Sequence, residues 1–334
     1  MLRIALGHAF AQPYGSTATV SPFLFRGLDV NSYHQLVAAT SKSVYYKFQL
    51  TFAITSLVLI YGIFANRMKF TSMKLFITLW YLAVYCPVSY VCWNWELERF
   101  YYINDDAVGN LVHFVSGVSA LVSAIILGPR KGFGNVMHSI TGVCFLWVAW
   151  FGLNAVLATT SGNNVEMVLL ATLIATAGAS LSWMLVEWYL TGIPKLTAIG
   201  SGAIAGIIAI TPASAHVLDC EGAFFLGLYA GPACFAGIQL KCYLGYDDEL
   251  DVFAIHAIGG ILGGFITGLV VADQVNRGYS GLNYMNTWDG GNQRLLQVYS
   301  MLFCFGWTGV VTFLILKTID LTIGLRVNED DEHA

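Results

Sequence analysis

Apolar runs and short polar breaks alternate along most of the 334-residue chain. Runs near 43–65, 70–93, 107–127, 137–160, 165–190, 196–216, 222–243, 250–272 and 296–323 each approach the roughly 20 apolar residues that a bilayer-spanning helix needs. The pattern therefore predicts nine spanning α-helices. Residues 1–12 are mildly apolar but too short to span, and residues 13–42, with their Pro, Gly, Ser and Thr, read as a loop. The Lys/Arg bias of the breaks sets an orientation. The first connection holds Arg67, Lys69 and Lys74, the third Arg130 and Lys131, the fifth Lys195 and the seventh Lys241, and the tail holds Arg326. The intervening breaks are poorer in positive charge. The odd connections and the C-terminus are thus expected in the cytoplasm, with the N-terminus outside.

Two of the runs contain a histidine. His256 lies in Asp251-Val-Phe-Ala-Ile-His256-Ala-Ile-Gly-Gly260, and Asp105 precedes His113, which Gly117 follows as Gly260 follows His256. Each helix then carries a histidine and a glycine one turn on, on one face. Small residues allow two such helices to approach closely in lipid. The positive-inside orientation makes them antiparallel, the arrangement of an inverted repeat with its site near the midplane. At about 1.5 Å rise per residue, His113 lies about 12 Å beyond Asp105 and His256 about 14 Å beyond Asp247. In a core of about 30 Å those depths leave an axial gap of a few ångströms, which closes to contact if the acidic residues sit slightly inside the membrane edges. An ionisable side chain at that depth is by default a functional candidate. The bland alternative is two separate histidines, each bonded to a nearby carbonyl.

Composition strengthens the membrane reading. The chain is 57% hydrophobic and 11% charged, against about 25% charge in a soluble domain. The net charge of −4 says little, because the charges lie in loops and tails, but the lack of a basic tract argues against nucleic acid as a partner. Seven cysteines, five of them (Cys86, Cys92, Cys144, Cys234 and Cys304) inside apolar runs, read as small core residues and not a disulfide framework. No Cys/His cluster has metal-ligand spacing, no phosphate loop follows a strand, and no nucleophile–base pair is readable. Neither a cofactor nor an enzyme activity is expected.

The segment Asp105-Asp-Ala-Val-Gly109-Asn-Leu-Val-His113, continuing through Ser116, Gly117, Ala120 and Gly128-Pro-Arg130, resembles the signature of the ammonium transporter family (Amt/Mep/Rh). Asp106 and Val108 depart from it. Further matching blocks are Trp150-Phe-Gly-Leu-Asn154, Glu187-Trp188, Ser201 to Gly206 with Ile210-Thr-Pro212, Asp247 through Gly260, and Leu321 to Arg326. The resemblance covers nearly the whole chain and is closer to the Amt/Mep branch, which Trp93 also favours. It implies an all-α polytopic bundle with an inverted repeat, assembled as a homotrimer with one pore per subunit, in the plasma membrane. Residues 1–323 would form the transmembrane domain and 324–334 a short cytoplasmic tail. Residues 1–12 resemble the end of the family's second helix, so a first helix and most of the second are expected to precede Met1.

The resemblance also implies roles. His113 and His256 are similar to the paired pore histidines of the family. Two neutral imidazoles sharing one hydrogen bond still offer a donor and an acceptor to ammonia or ammonium. Two imidazolium ions there would repel and be desolvated, so the pair is expected to relay a proton without keeping it. Trp93 matches the outer-mouth aromatic, where a cation–π contact is worth roughly 0.5–2 kcal/mol; the alternative is an interfacial belt residue. Phe52 matches the first of two gate phenylalanines. Leu153 stands at the second, and Leu157 replaces a hydroxyl usual at the outer site. Asp105 is expected to cap its helix and to make the vestibule attractive to cations, and Asp251 to play the matching structural part at the other face. Asp247, Asp248 and Glu249 read as a solvated acidic turn. The implied function is ammonium or ammonia transport through a hydrophobic pore. An ammonium sensor with little flux stays open because of Leu153 and Leu157. An electron carrier with axial histidines is a third reading, which the glycines beside both histidines oppose by leaving no room for haem.

Overall fold

The computed structural model describes residues 42–65, 67–93, 109–130, 136–161, 164–214, 219–270 and 293–328. Each of the nine expected segments is helical within a few residues of its expected ends. The elements are α1 (Lys42–Phe64), α2 (Phe70–Trp80), α3 (Cys86–Trp93), α4 (Val115–Leu127), α5 (Val136–Ser161), α6 (Val165–Thr191), α7 (Leu196–Ser214), α8 (Cys220–Leu244), α9 (Ile258–Val270) and α10 (Gln293–Ile323). Three π-helical turns lie among them: π1 (Tyr81–Tyr85) joins α2 to α3, π2 (Gly109–Phe114) leads into α4, and π3 (Phe253–Ala257) leads into α9. Seven helices among the described residues are long and apolar enough to cross a membrane. The apolar helices Leu111–Leu127 and Phe253–Ile266, which carry the histidines, are shorter. The β-structure among the described residues is one antiparallel bridge between Met68 and Arg326.

Local chemistry explains the boundaries. Asn164 caps α6 by accepting from the backbone N–H of Glu166 at 3.0 Å and of Met167 at 3.2 Å, and Gly192 ends it at φ 75°. Asp219 caps α8 by accepting from the Gly222 N–H at 2.7 Å. Such side-chain oxygens satisfy N–H groups that the first helical turn leaves free. The π1 turn precedes Pro87, which has no N–H to give the Ala83 carbonyl. That carbonyl instead accepts from Trp307 Nε1 of α10 at 2.9 Å.

Small residues set the packing. A Cβ built on Gly202 or Gly206 of α7 would stand 2.6 Å from the carbonyl oxygen of Ala179 or Ala175 of α6. Gly227 and Gly231 of α8 meet the same two carbonyls from the other side. Glycines four apart on each neighbour thus let α6 lie backbone to backbone with both, as small-residue faces do in lipid. α7 is the most enclosed span, with 72% of Leu196–Ala213 buried, whereas Val136–Ala158 of α5 is 17% buried. Phe145, Val148, Leu190, Leu302 and Val310 stand exposed on outward faces.

One apolar cluster gathers Phe52, Trp80, Leu111, Val112, Leu157 and Ala257. A second gathers Trp150, Trp183, Ile207, Ile208 and Ile255. The π3 turn straddles the two, since Ile255 belongs to one and Ala257 to the other. His256 therefore sits on their seam.

Candidate functional site

His113 is completely buried and His256 is 5% exposed. Their Nδ1 atoms lie 3.1 Å apart, and the rings stack at 5.3 Å between centroids and 26° between planes. The contact forms because the backbones come close: a Cβ on Gly117 would be 2.6 Å from both the Cβ and the N of Ala257. Each histidine lies near the end of a π-helical turn that leads into a 13-residue α-helix. A π-turn inserts a residue into the helical ladder and re-aims the side chains beside it, which makes it common at functional sites.

The chemistry follows from the Nδ1 contact. One imidazole must donate the shared hydrogen and the other must accept it. The donor at Nδ1 then has a bare Nε2, and the acceptor carries its hydrogen on Nε2. The pair so presents one N–H and one lone pair. His113 Nε2 is buried and has no hydrogen-bond partner among the described residues. Trp150 flanks the pair, its ring 5.1 Å from that of His113. Trp150 is itself fixed, since its Nε1 donates to Thr211 Oγ1 at 2.8 Å and Thr211 donates to the Ile207 carbonyl at 2.6 Å. Trp150 belongs to a matching sequence block, but nothing in the sequence alone shows that it faces a histidine.

Phe52 is buried in α1 and meets Phe48 edge to face at 4.7 Å. Leu157 shares its cluster, and Leu153 is half-buried against both clusters. Trp93 closes α3, and its side chain lies outside the described residues, as does Asp105. Asn154, one turn from Trp150, is buried and donates to Thr172 Oγ1 at 2.9 Å.

Below His256 the segment Asp247–Asp251 is a structured network and not a solvated turn. Arg67, almost fully buried, donates to the carbonyls of Ile63 at 2.6 Å, Gly128 at 2.7 Å and Asp247 at 3.0 Å. Its guanidinium also meets the Asp247 carboxylate at 3.4 Å. Burial holds Arg67 below its ordinary value, and Asp247 offsets part of that shift. Arg130 pairs with Asp247 at 3.3 Å and with Glu249. Lys241 pairs with Asp251. Burial raises the Asp251 carboxyl, and Lys241 opposes it. The group that caps π3 is Asp248 rather than Asp251: its Oδ2 accepts the Phe253 N–H at 2.9 Å. Asp251 instead adopts a positive φ of 51° and turns its carboxylate to Lys241. The tail closes the same end. Arg326 donates to the carbonyls of Leu127 and Pro129, both at 3.0 Å, and the Lys69 N–H donates to the Leu325 carbonyl at 2.8 Å. Among the described residues, no group of three or more His, Cys, Asp and Glu could hold a metal ion.

The family profile described as Ammonium Transporter Family matches residues 1–334. An ammonium transporter of Bacillus subtilis is 36% identical over 315 residues, covering 92% of this chain and 76% of the relative. One of Aquifex aeolicus is 38% identical over 290 residues, covering 85% and 67%. The crystal structure of Saccharomyces cerevisiae Mep2 superposes with a TM-score of 0.83 at 28% identity, covering 98% of this chain and 77% of that one. A family profile over the full length, curated relatives above 30% identity and a shared polytopic helical fold converge: the chain is a multi-pass membrane protein of the ammonium transporter family, a family of transporters and not of enzymes.

Proposed function

We propose that the chain carries ammonium across the membrane through a narrow apolar path in which His113 and His256 take the proton, let ammonia pass and relay the proton. The observation that carries this reading is the buried Nδ1–Nδ1 hydrogen bond at 3.1 Å beside a partnerless His113 Nε2. Such a pair needs a small ligand able both to donate and to accept. Phe52 and Leu153 are the apolar gate above it. Trp93 and Phe52 recruit the cation at the outer mouth, and Asp105 makes that vestibule negative. The end that gathers Arg67, Lys69, Arg130, Lys241 and Arg326 is the cytoplasmic end, in line with the positive-inside bias. The C-terminus lies there, residues 1–323 form the transmembrane domain, and 324–334 form its short tail. The working assembly is a homotrimer in the plasma membrane, one path per subunit.

Ammonium-evoked current in proteoliposomes tests the pair. His113→Ala and His256→Ala should each abolish the current or change the transported species, with the protein still folded. Unchanged current and unchanged selectivity over methylammonium in both variants would end the pore reading. Binding with little flux in the parent protein would turn the reading to a sensor.

A further inference from the structure

Asp248 is the carboxylate of the cytoplasmic-end network that no cationic side chain among the described residues takes in an ion pair. Arg67 and Arg130 take Asp247, Arg130 takes Glu249, and Lys241 takes Asp251. Lys241 reaches Asp248 only at its backbone carbonyl, at 2.9 Å. The Asp248 side chain is buried. Its Oδ2 accepts the Phe253 N–H at 2.9 Å, and its Oδ1 has no partner among the described residues. A second buried polar atom of the same loop, Tyr246 Oη, also lacks a partner among the described residues. The carboxylate acts electrostatically on that phenol, whose ring stands edge-on to Phe253 at 6.4 Å. Among the described residues, a buried carboxylate that no ion pair holds and a hydroxyl without a partner thus accompany the residue that opens the His256 turn.

We infer that Asp248 is a proton-exchanging positioning residue: it takes up and releases a proton from the cytoplasmic-side solution, and its protonation state sets how firmly it holds the π3 turn and thus His256. Ionised, it makes a charge-assisted bond to the Phe253 N–H. Protonated, it gains an O–H that Tyr246 Oη can accept, and the bond to the Phe253 N–H weakens. No electron moves, and the proton comes from and returns to the solution. Among the described residues, Lys241 of α8 and Asp251 of its own loop act on it, and it acts in turn on Tyr246 and on Arg67 beyond α1; its chain neighbours Asp247 and Glu249 are held by Arg67 and Arg130. Burial raises the Asp248 carboxyl to about 6, against the backbone N–H groups of Phe253 and Val252 that favour the ionised form. That places the exchange within the range of cellular pH.

The inference rests on the histidine-pore reading, so two measurements are needed. In the first, ammonium current is followed in proteoliposomes as the pH facing the cytoplasmic end is varied from about 5 to 7.5 at fixed outer pH. The parent should show an inflection near pH 6. Asp248→Asn should remove it, with the half-saturation for ammonium changed less than about twofold. Tyr246→Phe should move it downward, because the protonated carboxyl loses its acceptor. In the second, the unfolding midpoint of the detergent-solubilised protein is measured over the same range. A carboxyl raised in the folded state holds more protons there than in the unfolded chain, so stability is lost as pH rises through about 6. The parent midpoint should fall by a few degrees more than that of Asp248→Asn. The same pH dependence in parent and Asp248→Asn, in both measurements, would overturn the inference. If Asp248→Asn does not fold, an unmoved inflection in Tyr246→Phe overturns it. A parent without ammonium current would sink the pore reading alone, and the unfolding comparison would still decide on Asp248.

Discussion

At the scale of the residue, Leu157 shows how place in the fold decides what a substitution does. It is 4% exposed in the cluster that holds Phe52. A serine there shrinks a packed side chain, and its hydroxyl can turn back to the carbonyl one turn earlier. Leu157→Ser should cost about 2–4 kcal/mol of stability, as cavity-forming truncations do. Any gain in ammonium half-saturation should stay within about tenfold, since one neutral hydrogen bond is worth about 0.5–1.5 kcal/mol net. A chemical-unfolding series and a concentration series on the same preparation check both parts. The histidine pair was legible in the sequence because an ionisable residue in an apolar run has no bland surroundings to hide in, and because the run around His113 echoes that around His256. Asp248 was not legible. Beside Asp247 and Glu249 it has the composition of a solvated turn, and only three dimensions show that the ion pairs among the described residues pass it over. Arg67 counts in the sequence only as a positive charge of the first connection, and its enclosure by the carbonyls of Ile63, Gly128 and Asp247 has no sequence signal.

At the scale of the element, α6 is the helix that the rest of its half packs on. Gly206 of α7 stands where a Cβ would be 2.6 Å from the Ala175 carbonyl oxygen and 2.8 Å from the Ala179 Cβ. Gly142 of α5 has nothing within 4 Å of its added Cβ. Both are helical glycines, so intrinsic propensity favours alanine at each by about 0.5–1 kcal/mol. Packing must decide the sign. Gly206→Ala should destabilise by about 1–3 kcal/mol, and Gly142→Ala should be neutral or slightly stabilising. Thermal unfolding of the two variants side by side tests the contrast. Equal midpoints would mean that α6 and α7 are free to move apart. The helices themselves were legible because unbroken apolar runs of spanning length leave few alternatives. The π-turns were not, since a π-turn differs from an α-turn by one inserted residue and needs no particular composition. Pro87 was the one local hint, and it marks π1 rather than the two turns that carry histidines.

At the scale of the whole molecule, the charged end joins segments far apart in the chain. Arg67 reaches Gly128 and Asp247, Arg326 reaches Leu127, and Ser72 donates to the Gly324 carbonyl at 2.6 Å. Arg67→Met should loosen this end as a unit. Removing one member of a buried ion pair costs about 3–5 kcal/mol, but Asp247 keeps Arg130 and some exposure to water, so about 2–3 kcal/mol is expected. Faster amide exchange in both 247–251 and 324–328, with the α6–α7 backbone unchanged, would be the signature; exchange confined to residues next to 67 would argue against a shared unit. The joined segments also carry a timetable. Ser72 and its partner Gly324 are 252 residues apart, a stretch that a ribosome needs roughly 13 to 50 seconds to make at about 5–20 residues per second. For that interval the first helices are already in the membrane while the groups that will hold them are unmade. Arg67 must wait among water, lipid headgroups or an insertion factor. Until then this end of the nascent protein stays open to quality control, and what closes it is the arrival of the last turn of α10 and of Gly324 and Arg326 beyond it.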